Sequence, residues 1–459
     1  MKRPKPNRAR TEPVKPGHVQ PQLAQSQLIQ IEKPIYGGAF LAHIAGKAVF
    51  VPLTLPGEQV RARITQSKRG YDTADPDEII VASPDRIVPA CPHFGPCGGC
   101  HYQHTNYEAQ LAFKQTILRE TLQRGGVTAP AESDVLAAEP WHYRNRIRLA
   151  FDAAGNIGYR GRRSNAVIPV SECSIAAPLL FSTAKAIAEI ARQFASSLHP
   201  AEISLFCDAT ESALLASFFI ASTAQPSAAQ KRDSFDDFAQ AVQQQISALK
   251  GAELVAEGHA AQLPRTLAQW GAPSLNYRAA GFDYRVDQGA FFQVNRFLVD
   301  SLVERVTDGY KGSHAWDLFA GVGLFARRLT ANFNRVFAVE SSPSATEALA
   351  ANLNGTTGTA IRAEALDFLR RNRQPAHAAP TRPDLVVVDP PRIGLGPEIT
   401  ALLAQVAAPA LVYVSCDPAT LARDLRALIS SGYEIQSITL ADLFPQTFHL
   451  ETVVRMRLA

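Results

Sequence analysis

The last third of the chain alternates short apolar runs with segments of helical pattern. The strand candidates SHAWDLFAG, RVFAVE, LVVVDPP and ALVYVSC are nearly continuous in apolar residues, as expected of strands that are buried on both faces. Helical patterns such as PSATEALAANLN and PATLARDLRALISSG lie between them. This alternation predicts an α/β domain built on a doubly wound parallel sheet. Ligands bind at the carboxyl edge of such a sheet, so the residues that follow these strands are the first functional candidates.

Four regions are expected along the chain. Residues 1–22 are rich in Pro, Lys and Arg without a hydrophobic period, which predicts a disordered basic tail. Residues 23–84 contain short alternating runs separated by turn signals, typical of a small antiparallel β-barrel of the OB-like kind. The patterns predict a mixed α+β domain over residues 85–275 and the doubly wound domain over residues 276–459. A helix is expected over residues 107–124, and we expect it to pack on the doubly wound domain.

Composition excludes several classes of protein. Of the 459 residues, 46% are hydrophobic and 19% are charged, which is typical of a soluble globular chain with several domains. The formal net charge is only +4, so any nucleic-acid interface must come from local clusters of basic residues. No run approaches the ~18 apolar residues of a membrane helix. The N-terminus lacks an apolar signal region, and we expect a cytoplasmic protein.

The cysteines are concentrated in one loop. The run CPHFGPCGGC holds three of them, and a fourth lies in VSECSI. Thiols this close together, on a loop rich in Gly and Pro, predict a metal centre. Four thiolates suit an iron–sulfur cluster or tetrahedral zinc, and the neighbouring His93, His101 and His104 also keep a zinc site with three thiolates open. The four candidate ligands are Cys91, Cys97, Cys100 and Cys173.

A nucleoside site is indicated at the start of the doubly wound domain. Gly321 and Gly323 form a turn between the strand WDL and a helix, and Glu340 ends the next strand. Glycines allow a ligand to approach the helix N-terminus, and an acidic residue at the end of the second strand can bind ribose hydroxyls. Ala326 stands at the last position of the G-x-G-x-x-G/A fingerprint, so dinucleotide binding also remains open.

Three further residues at strand ends carry reactive groups. Asp389 follows LVVV, and Pro390 and Pro391 stiffen the chain after it. Cys416 ends another strand just before a helix, where a thiol is either a nucleophile or an inert core residue. Glu451 precedes the last apolar run, and its carboxylate is either a general base or a surface charge.

These motifs, in this order, resemble the RNA uracil-C5 methyltransferase family, and in particular its ribosomal RNA branch with a TRAM domain and an iron–sulfur cluster. The resemblance covers about residues 25–459 and is carried by several independent motifs. They are FVPLTLPGEQV, CPHFGPCGGCHYQH, FFQVN, DLFAGVGLFA, DPPRIG, YVSCDPATLARDL and FPQTFHLE. Two positions depart from the pattern, Leu324 in the glycine turn and Asp417 after the cysteine.

The resemblance implies a role for each matching residue. Cys416 would be the nucleophile that attacks carbon 6 of uracil, and Glu451 the base that removes the carbon-5 proton. The four clustered cysteines would hold a 4Fe–4S cluster. S-adenosylmethionine would contact Gln293, Phe319, Gly321, Gly323, Glu340, Glu364 and Asp389.

The resemblance also implies a partner. Single-stranded 23S rRNA, before or during ribosome assembly, would be bound by the barrel and by basic stretches at Arg144–Arg146 and Arg160–Arg163. The enzyme is expected to act as a monomer. Three alternatives stay open: the same chemistry on tRNA, an amino methyltransferase that needs no Cys416, and a non-catalytic iron–sulfur protein that binds RNA.

Overall fold

The computed structural model describes residues 26–128, 133–194, 200–220, 228–257, 265–372 and 382–459. The expected tail over residues 1–22 lies outside these ranges. The chain divides into two compact units. One comprises the chain up to Lys33 together with Ala39–Pro84, and the other comprises Pro34–Gly38 together with Asp85–Ala459. None of the helices within the described ranges is long and apolar enough to cross a membrane.

The N-terminal strands form one six-stranded sheet in the order β1-β5-β6-β4-β3-β2. The strands are β1 Ser26–Gln30, β2 Lys33–Pro34, β3 Ala39–Ile44, β4 Lys47–Pro52, β5 Gln59–Ser67 and β6 Tyr71–Val81. In β5, Val60 and Ala62 are buried while their neighbours are exposed, as alternation predicts.

One pairing in this sheet differs from the purely antiparallel barrel expected from the sequence. Strands β4 and β6 run parallel, with Ala48 opposite Tyr71. The chain passes through β5 before it returns as β6, so β6 takes the same direction as β4. Alternation along a strand reports which face is buried and says nothing about strand direction, so the sequence pattern missed this pair.

The second unit contains two large sheets and a separate hairpin, β15–β16. Its elements in chain order are α1 Tyr107–Arg124, β7 Asp134–Leu136, β8 Arg146–Phe151, β9 Ile157–Arg160, β10 Val167–Pro169, α2 Pro178–Gln193, β11 Glu202–Cys207, β12 Leu214–Ile220, α3 Ala228–Gln245, β13 Leu249–Ala256, β14 Arg265–Gly271, β15 Ser274–Ala279, β16 Phe282–Asp287, α4 Val299–Thr307, β17 Gly312–Leu318, α5 Leu324–Leu329, β18 Phe333–Glu340, α6 Pro343–Leu353, β19 Gly358–Arg362, α7 Ala365–Asn372, β20 Leu385–Val388, α8 Gly396–Val406, β21 Ala410–Ser415, α9 Pro418–Ser430, β22 Tyr433–Ala441 and β23 Glu451–Leu458.

The first large sheet has seven strands in the order β10-β9-β8-β11-β12-β13-β14. Its apolar face is covered by α2 and α3, and Ile147 and Leu149 of β8 point into that core. Because side chains alternate along a strand, Arg146 and Arg148 lie on the opposite face. The sheet therefore offers one basic face that these helices do not cover.

The second large sheet confirms the predicted doubly wound architecture. Strands β19, β18, β17, β20 and β21 are parallel neighbours, followed by β23, β22 and β7. Val387 belongs to the core on one face, and Val386 and Val388 belong to the core on the other. Burial on both faces explains why these strands are continuously apolar in sequence.

Helix α1 packs on α9, in the core on one face of this sheet. Ile117, Leu118 and Leu122 of α1 share one core with Leu421 and Leu425 of α9. Asn106 caps the N-terminus of this helix, and its side chain accepts a hydrogen bond from the Ala109 N–H at 2.8 Å. Its placement brings the polar side chains of its first half against the segment that follows β22.

A buried ion pair joins α1 to that segment. Lys114 Nζ donates to Asp442 Oδ1 at 2.5 Å and to the Phe444 carbonyl at 2.9 Å. Tyr107 donates its hydroxyl to the other carboxylate oxygen of Asp442 at 2.8 Å. Burial lowers the pKa of Lys114, and Asp442 opposes this shift. A charge pair without access to water is costly to break, so it holds the chain firmly where it leaves β22.

Replacing Lys114 with Met should destabilise the protein by about 3–5 kcal/mol, because Asp442 is then left buried without its cation. The midpoint of urea unfolding at neutral pH measures this effect. The double variant Lys114→Met, Asp442→Leu removes both charges and should recover most of the loss. An unchanged midpoint in the single variant would contradict this description of the pair.

Candidate active site

The predicted site residues follow parallel strands that end at one edge of the large sheet. Phe319 follows β17, Glu340 ends β18, Asp389 follows β20 and Cys416 follows β21. Neighbouring parallel strands present their carboxyl ends on the same side, so the four residues gather above one sheet edge.

The turn after β17 has an unusual backbone. Phe319, Gly321 and Gly323 have φ values of +67°, +56° and +92°, all in the left-handed region. The N–H of Gly321 donates to Glu340 Oε2 at 2.9 Å, and the N–H of Ser342 donates to Glu340 Oε1 at 2.7 Å. The turn and the carboxylate therefore hold each other in place, and the carboxylate keeps free lone pairs for hydroxyl donors.

Asp317 stands beneath this turn and was given no role by the sequence pattern. Its Oδ2 accepts a hydrogen bond from the Ala326 N–H at 2.8 Å, while its buried Oδ1 meets no donor among the described residues. Burial raises the pKa of Asp317 to about 8, and the nearby Asp389 and Glu340 add to the shift. The side chain anchors α5 and brings a further acid close to the candidate nucleoside site.

The remaining predicted cofactor contacts lie in different surroundings. Gln293 is buried, and its main-chain carbonyl accepts from the Asn145 side chain at 2.9 Å. Glu364 is exposed and lies just beyond β19, two positions after Arg362, which pairs with Glu340 in the sheet. Glu364 is therefore at the same sheet edge as Glu340.

Cys416 and Glu451 are neighbours across two antiparallel strands. The β21–β23 register ends with Ser415 opposite Thr452. Cys416 follows Ser415 and Glu451 precedes Thr452, so the two residues flank the last pair of this ladder, and Glu451 is close enough to raise the pKa of the Cys416 thiol. Glu451 is only 5% exposed.

The electrostatics of this pair are dominated by burial. Burial raises the pKa of Cys416 to about 12, with further contributions from Glu451 and Asp389, while Arg392 lowers it. Burial also raises the pKa of Glu451, and Asp389 adds to that shift. Asp389 itself has its pKa raised by burial to about 7. The site as it stands favours a neutral thiol and protonated carboxyl groups.

Arg392 is the cation that opposes these shifts. Its guanidinium lies 3.2 Å from His449 Nδ1. Burial first, and Arg392 second, lower the pKa of His449 to about 3, so the imidazole is neutral and accepts from the guanidinium. The two residues belong to the motifs DPPRIG and FPQTFHLE, which lie far apart in the sequence.

The loop that carries Arg392 is fixed to α9. Asp424 accepts from the Leu395 N–H at 2.7 Å and from the Tyr413 hydroxyl at 2.8 Å. Gly394 has φ of +71°, and a Cβ at this position would lie 2.5 Å from Asp424 Oδ2. A glycine is therefore required for the loop to approach this carboxylate.

Tyr36 is a site residue that the sequence pattern missed. It belongs to the short segment Pro34–Gly38, which groups with the second unit. Its hydroxyl lies 3.4 Å from the main-chain carbonyl of Cys416, and its ring meets Phe448 edge-on at 5.5 Å. The neighbouring Asp417 caps α9 by accepting from two main-chain N–H groups.

The four clustered cysteines line a single cavity of about 260 Å³. The Tyr159 hydroxyl lies 3.5 Å from Cys173 Sγ. Backbone N–H groups of His93 and Gly99 lower the pKa of Cys91 and Cys97, although burial raises it more. Within the described ranges, no group of three His, Cys, Asp or Glu side chains is arranged to hold a metal ion. The thiols thus surround a space instead of meeting at a point.

Comparison with known proteins identifies the family. Residues 232–458 match the sequence model of tRNA (Uracil-5-)-methyltransferases, and residues 22–76 match that of the TRAM domain. A 23S rRNA (uracil(1939)-C(5))-methyltransferase of Halomonas elongata is 33% identical over 90% of this chain and 85% of its own length. The chain belongs to the RNA (uracil-5-)-methyltransferase family. It is thus an S-adenosylmethionine-dependent enzyme with an N-terminal TRAM domain.

Two further similar proteins are a relative in sequence and a solved structure. An uncharacterized RNA methyltransferase of Streptomyces avermitilis is 33% identical over 94% of this chain and 98% of its own length. The tRNA (uracil-54, C5)-methyltransferase of Pyrococcus abyssi, solved in complex with S-adenosyl-L-homocysteine, shares the fold with a TM-score of 0.72. It is 22% identical, and the match covers 94% of this chain and all of that one. Family membership favours carbon methylation over the amino methyltransferase alternative, while the roles of single residues stay predictions.

Replacing Glu451 with Gln should lower the pKa of Cys416, because the ionised form of Glu451, which opposes formation of the thiolate, is no longer possible. Replacing Arg392 with Gln should raise it, because the opposing cation disappears. The rate at which iodoacetamide labels Cys416, followed by peptide mass spectrometry from neutral to alkaline pH, reports the thiolate fraction. Each pKa unit changes that rate by about tenfold below the pKa.

The matched control for these variants is Glu398→Gln, which removes an exposed carboxylate on α8 that pairs with Arg370. It should leave the labelling profile of Cys416 unchanged. Shifts of the same sign in Glu451→Gln and Arg392→Gln would contradict the described electrostatics.

Proposed function

We propose that this enzyme transfers a methyl group from S-adenosylmethionine to carbon 5 of a specific uridine in 23S rRNA, through a covalent adduct between Cys416 and the uracil. The observation that carries the proposal is the adjacency of Cys416 and Glu451 across β21 and β23. The thiol of Cys416 can attack the uracil ring, and the carboxylate of Glu451 can take up a proton from the neighbouring carbon.

The chemistry of uracil explains why both groups are needed. Carbon 5 is a poor nucleophile. When the Cys416 thiolate bonds to carbon 6, the electron pair of the carbon 5–carbon 6 double bond moves into an enolate. Carbon 5 then takes the methyl group from the sulfonium, which leaves as neutral S-adenosylhomocysteine. Glu451 removes the carbon-5 proton, the double bond forms again and the thiolate departs.

The carboxyl edge of the sheet has the groups that S-adenosylmethionine requires. Glu340, held by two backbone donors, would accept from the ribose hydroxyls above the glycine turn. Phe319 and Gln293 would line the same pocket, and Glu364 would lie toward the adenine. Asp389 would lie beside the methionine end, close to the sulfonium.

The buried acids suit a cationic co-substrate. Asp317, Asp389 and Glu451 all have raised pKa values because water is excluded from them. A sulfonium placed among them would stabilise their charged forms and would also favour the thiolate of Cys416. In this proposal the thiol becomes a nucleophile when the methyl donor is bound.

We propose further that the four cysteines hold a 4Fe–4S cluster. Thiolates of one tetrahedral zinc site lie ~2.3 Å from the ion and must therefore converge. Here they line a cavity, and backbone N–H groups face the sulfurs of Cys91 and Cys97, as is usual around iron–sulfur clusters. The cluster would join Cys173 to the loop of the other three cysteines and so fix that loop. A zinc ion held by the same cysteines is the alternative.

The basic face of the seven-stranded sheet supports RNA as the substrate. The guanidinium of Arg146 stacks 4.4 Å from the Phe206 ring centroid, and that of Arg148 stacks 4.1 Å from Phe219. Flat cations and aromatic rings on a sheet are suited to phosphates and unstacked bases. Arg148 and Arg160 both pair with Glu202, at 2.5 and 2.8 Å, so the negative charge of Glu202 partly offsets theirs on this face.

The choice of 23S rRNA rests on the Halomonas elongata relative, which is more similar to this chain than the tRNA enzyme of Pyrococcus abyssi. The proposal places the reaction in the cytoplasm, on rRNA before or during ribosome assembly, with a monomeric enzyme. Mass spectrometry of rRNA and tRNA from cells without the protein separates the substrates. Loss of one methyluridine from 23S rRNA is expected, and loss from tRNA alone would contradict the rRNA assignment.

Cys416→Ala should abolish methylation, because no enolate forms without the thiolate. Glu451→Gln should still transfer the methyl group but should accumulate a methylated protein–RNA adduct that survives denaturation, because elimination lacks its base. Labelled methyl transfer and denaturing gels measure both effects. Cys207→Ala, which removes a buried thiol of β11, is the matched control and should keep activity. Methylation by Cys416→Ala would overturn the covalent mechanism.

Iron and acid-labile sulfide, measured in protein purified without oxygen, test the metal proposal. Equal amounts of both are expected in the wild type, and Cys97→Ser should lose most of each, while Cys207→Ser should keep them. Stoichiometric zinc in place of iron in the wild type would contradict the cluster.

A further inference from the structure

The segment Leu443–Leu450, between β22 and Glu451, is bound by groups from outside its own strand pair. Its central residue is Gln446, whose carbonyl accepts from the N–H groups of His101 at 2.8 Å and Tyr102 at 3.0 Å. His101 and Tyr102 directly follow Cys100. The backbone of the cysteine loop therefore bonds to the chain five residues before the candidate base.

A single side chain on α1 completes this junction. Gln110 Oε1 accepts from the Gln446 N–H at 3.0 Å, and Gln110 Nε2 lies 3.0 Å from Gln446 Oε1. The same Nε2 lies 3.2 Å from the carbonyls of Tyr102 and Thr105. Gln110 is 1% exposed and Gln446 is 2% exposed, so water does not compete for these bonds.

The backbone of Gln446 depends on these partners. Its φ is +67°, in the left-handed region that residues other than glycine rarely adopt. Such a conformation persists only where the surroundings hold it. The cysteine loop and Gln110 contribute to these surroundings, together with Tyr143, whose hydroxyl donates to the Pro445 carbonyl at 3.0 Å. These contacts set the direction in which the chain continues toward His449 and Glu451.

We propose that Gln110 and Gln446 are positioning residues for the general base, through which the cysteine loop helps the strand pairing to fix the position of the Glu451 carboxylate. The inference rests on the proposed function, because it takes Glu451 as the group that removes the carbon-5 proton. The proposal gives the cysteine loop an effect on the elimination step, in which Glu451 removes the carbon-5 proton.

The reaction separates this role from general stability. Attack by Cys416 and methyl transfer precede proton removal and do not need Glu451 as a base. A displaced Glu451 therefore slows elimination more than adduct formation. A positioning role makes the methylated adduct accumulate, whereas a loss of folded protein lowers adduct and product together.

The test is a single-turnover reaction of Gln110→Met with S-adenosylmethionine and a 23S rRNA transcript. Methionine keeps the volume of glutamine and removes its hydrogen bonds. The fraction of RNA in a denaturation-resistant methylated adduct should rise several-fold. Turnover should fall by about tenfold or more. This loss is smaller than the full rate acceleration that a general base supplies. KM for RNA should change little, because the RNA contacts are intact.

The matched control is Gln115→Met on the same helix, since Gln115 is half-buried and its side chain bonds to the Ser133 carbonyl at 3.4 Å, away from Gln446. It should match the wild type in adduct fraction and turnover. Gln446→Met should resemble Gln110→Met, and the double variant should be little worse than either, because both substitutions break one junction.

Hydrogen exchange supplies a readout that is independent of activity. Peptides that cover residues 443–451 should exchange faster in Gln110→Met and in Cys100→Ser than in the wild type, and unchanged exchange in both would overturn the inference. An equal loss of adduct and product in Gln110→Met would also overturn it. If Glu451→Gln itself accumulates no adduct, the proposed mechanism has failed, which is a different result.

Discussion

The antiparallel pairing of β21 with β23 is the constraint on which the rest of the site depends. Strand β21 is the last of the five parallel neighbours, and its carboxyl end lies at the sheet edge that carries the site. The adjacent strand β23 runs antiparallel to it. This reversal places the start of the last strand against the end of β21, so that Glu451 stands beside Cys416. A sixth parallel strand in the place of β23 would present its own carboxyl end instead, and the start of the strand would lie at the far edge.

Water exclusion then determines the chemistry of the pair. Cys416 and the acids around it have raised pKa values because they are buried, and Arg392 is the nearby cation that favours their charged forms. An unliganded site of this kind protects the thiol from reaction. In the proposed mechanism, a bound sulfonium completes the charge balance and couples activation of the nucleophile to the presence of the methyl donor.

The doubly wound sheet and the strand-end residues could be predicted from the sequence, because buried parallel strands are continuously apolar and their exits carry Asp389, Glu340 and Cys416. The direction of β6 relative to β4 could not, since alternation reports burial alone. Contacts of Tyr36, and the junction of Gln110 with Gln446, join positions more than 300 residues apart. Their side chains are common polar types without a local motif, so only the tertiary structure reveals them.

The most direct test of the central claim is mass spectrometry of the enzyme after reaction with S-adenosylmethionine and RNA that contains 5-fluorouridine. Fluorine at carbon 5 cannot be removed as a proton, so the adduct is trapped after methyl transfer. The account predicts one modified peptide that carries a methylated fluorouridine nucleotide on Cys416. An adduct on another cysteine, or methylation of unmodified uridine RNA by an enzyme that forms no adduct with the fluorinated RNA, would contradict it.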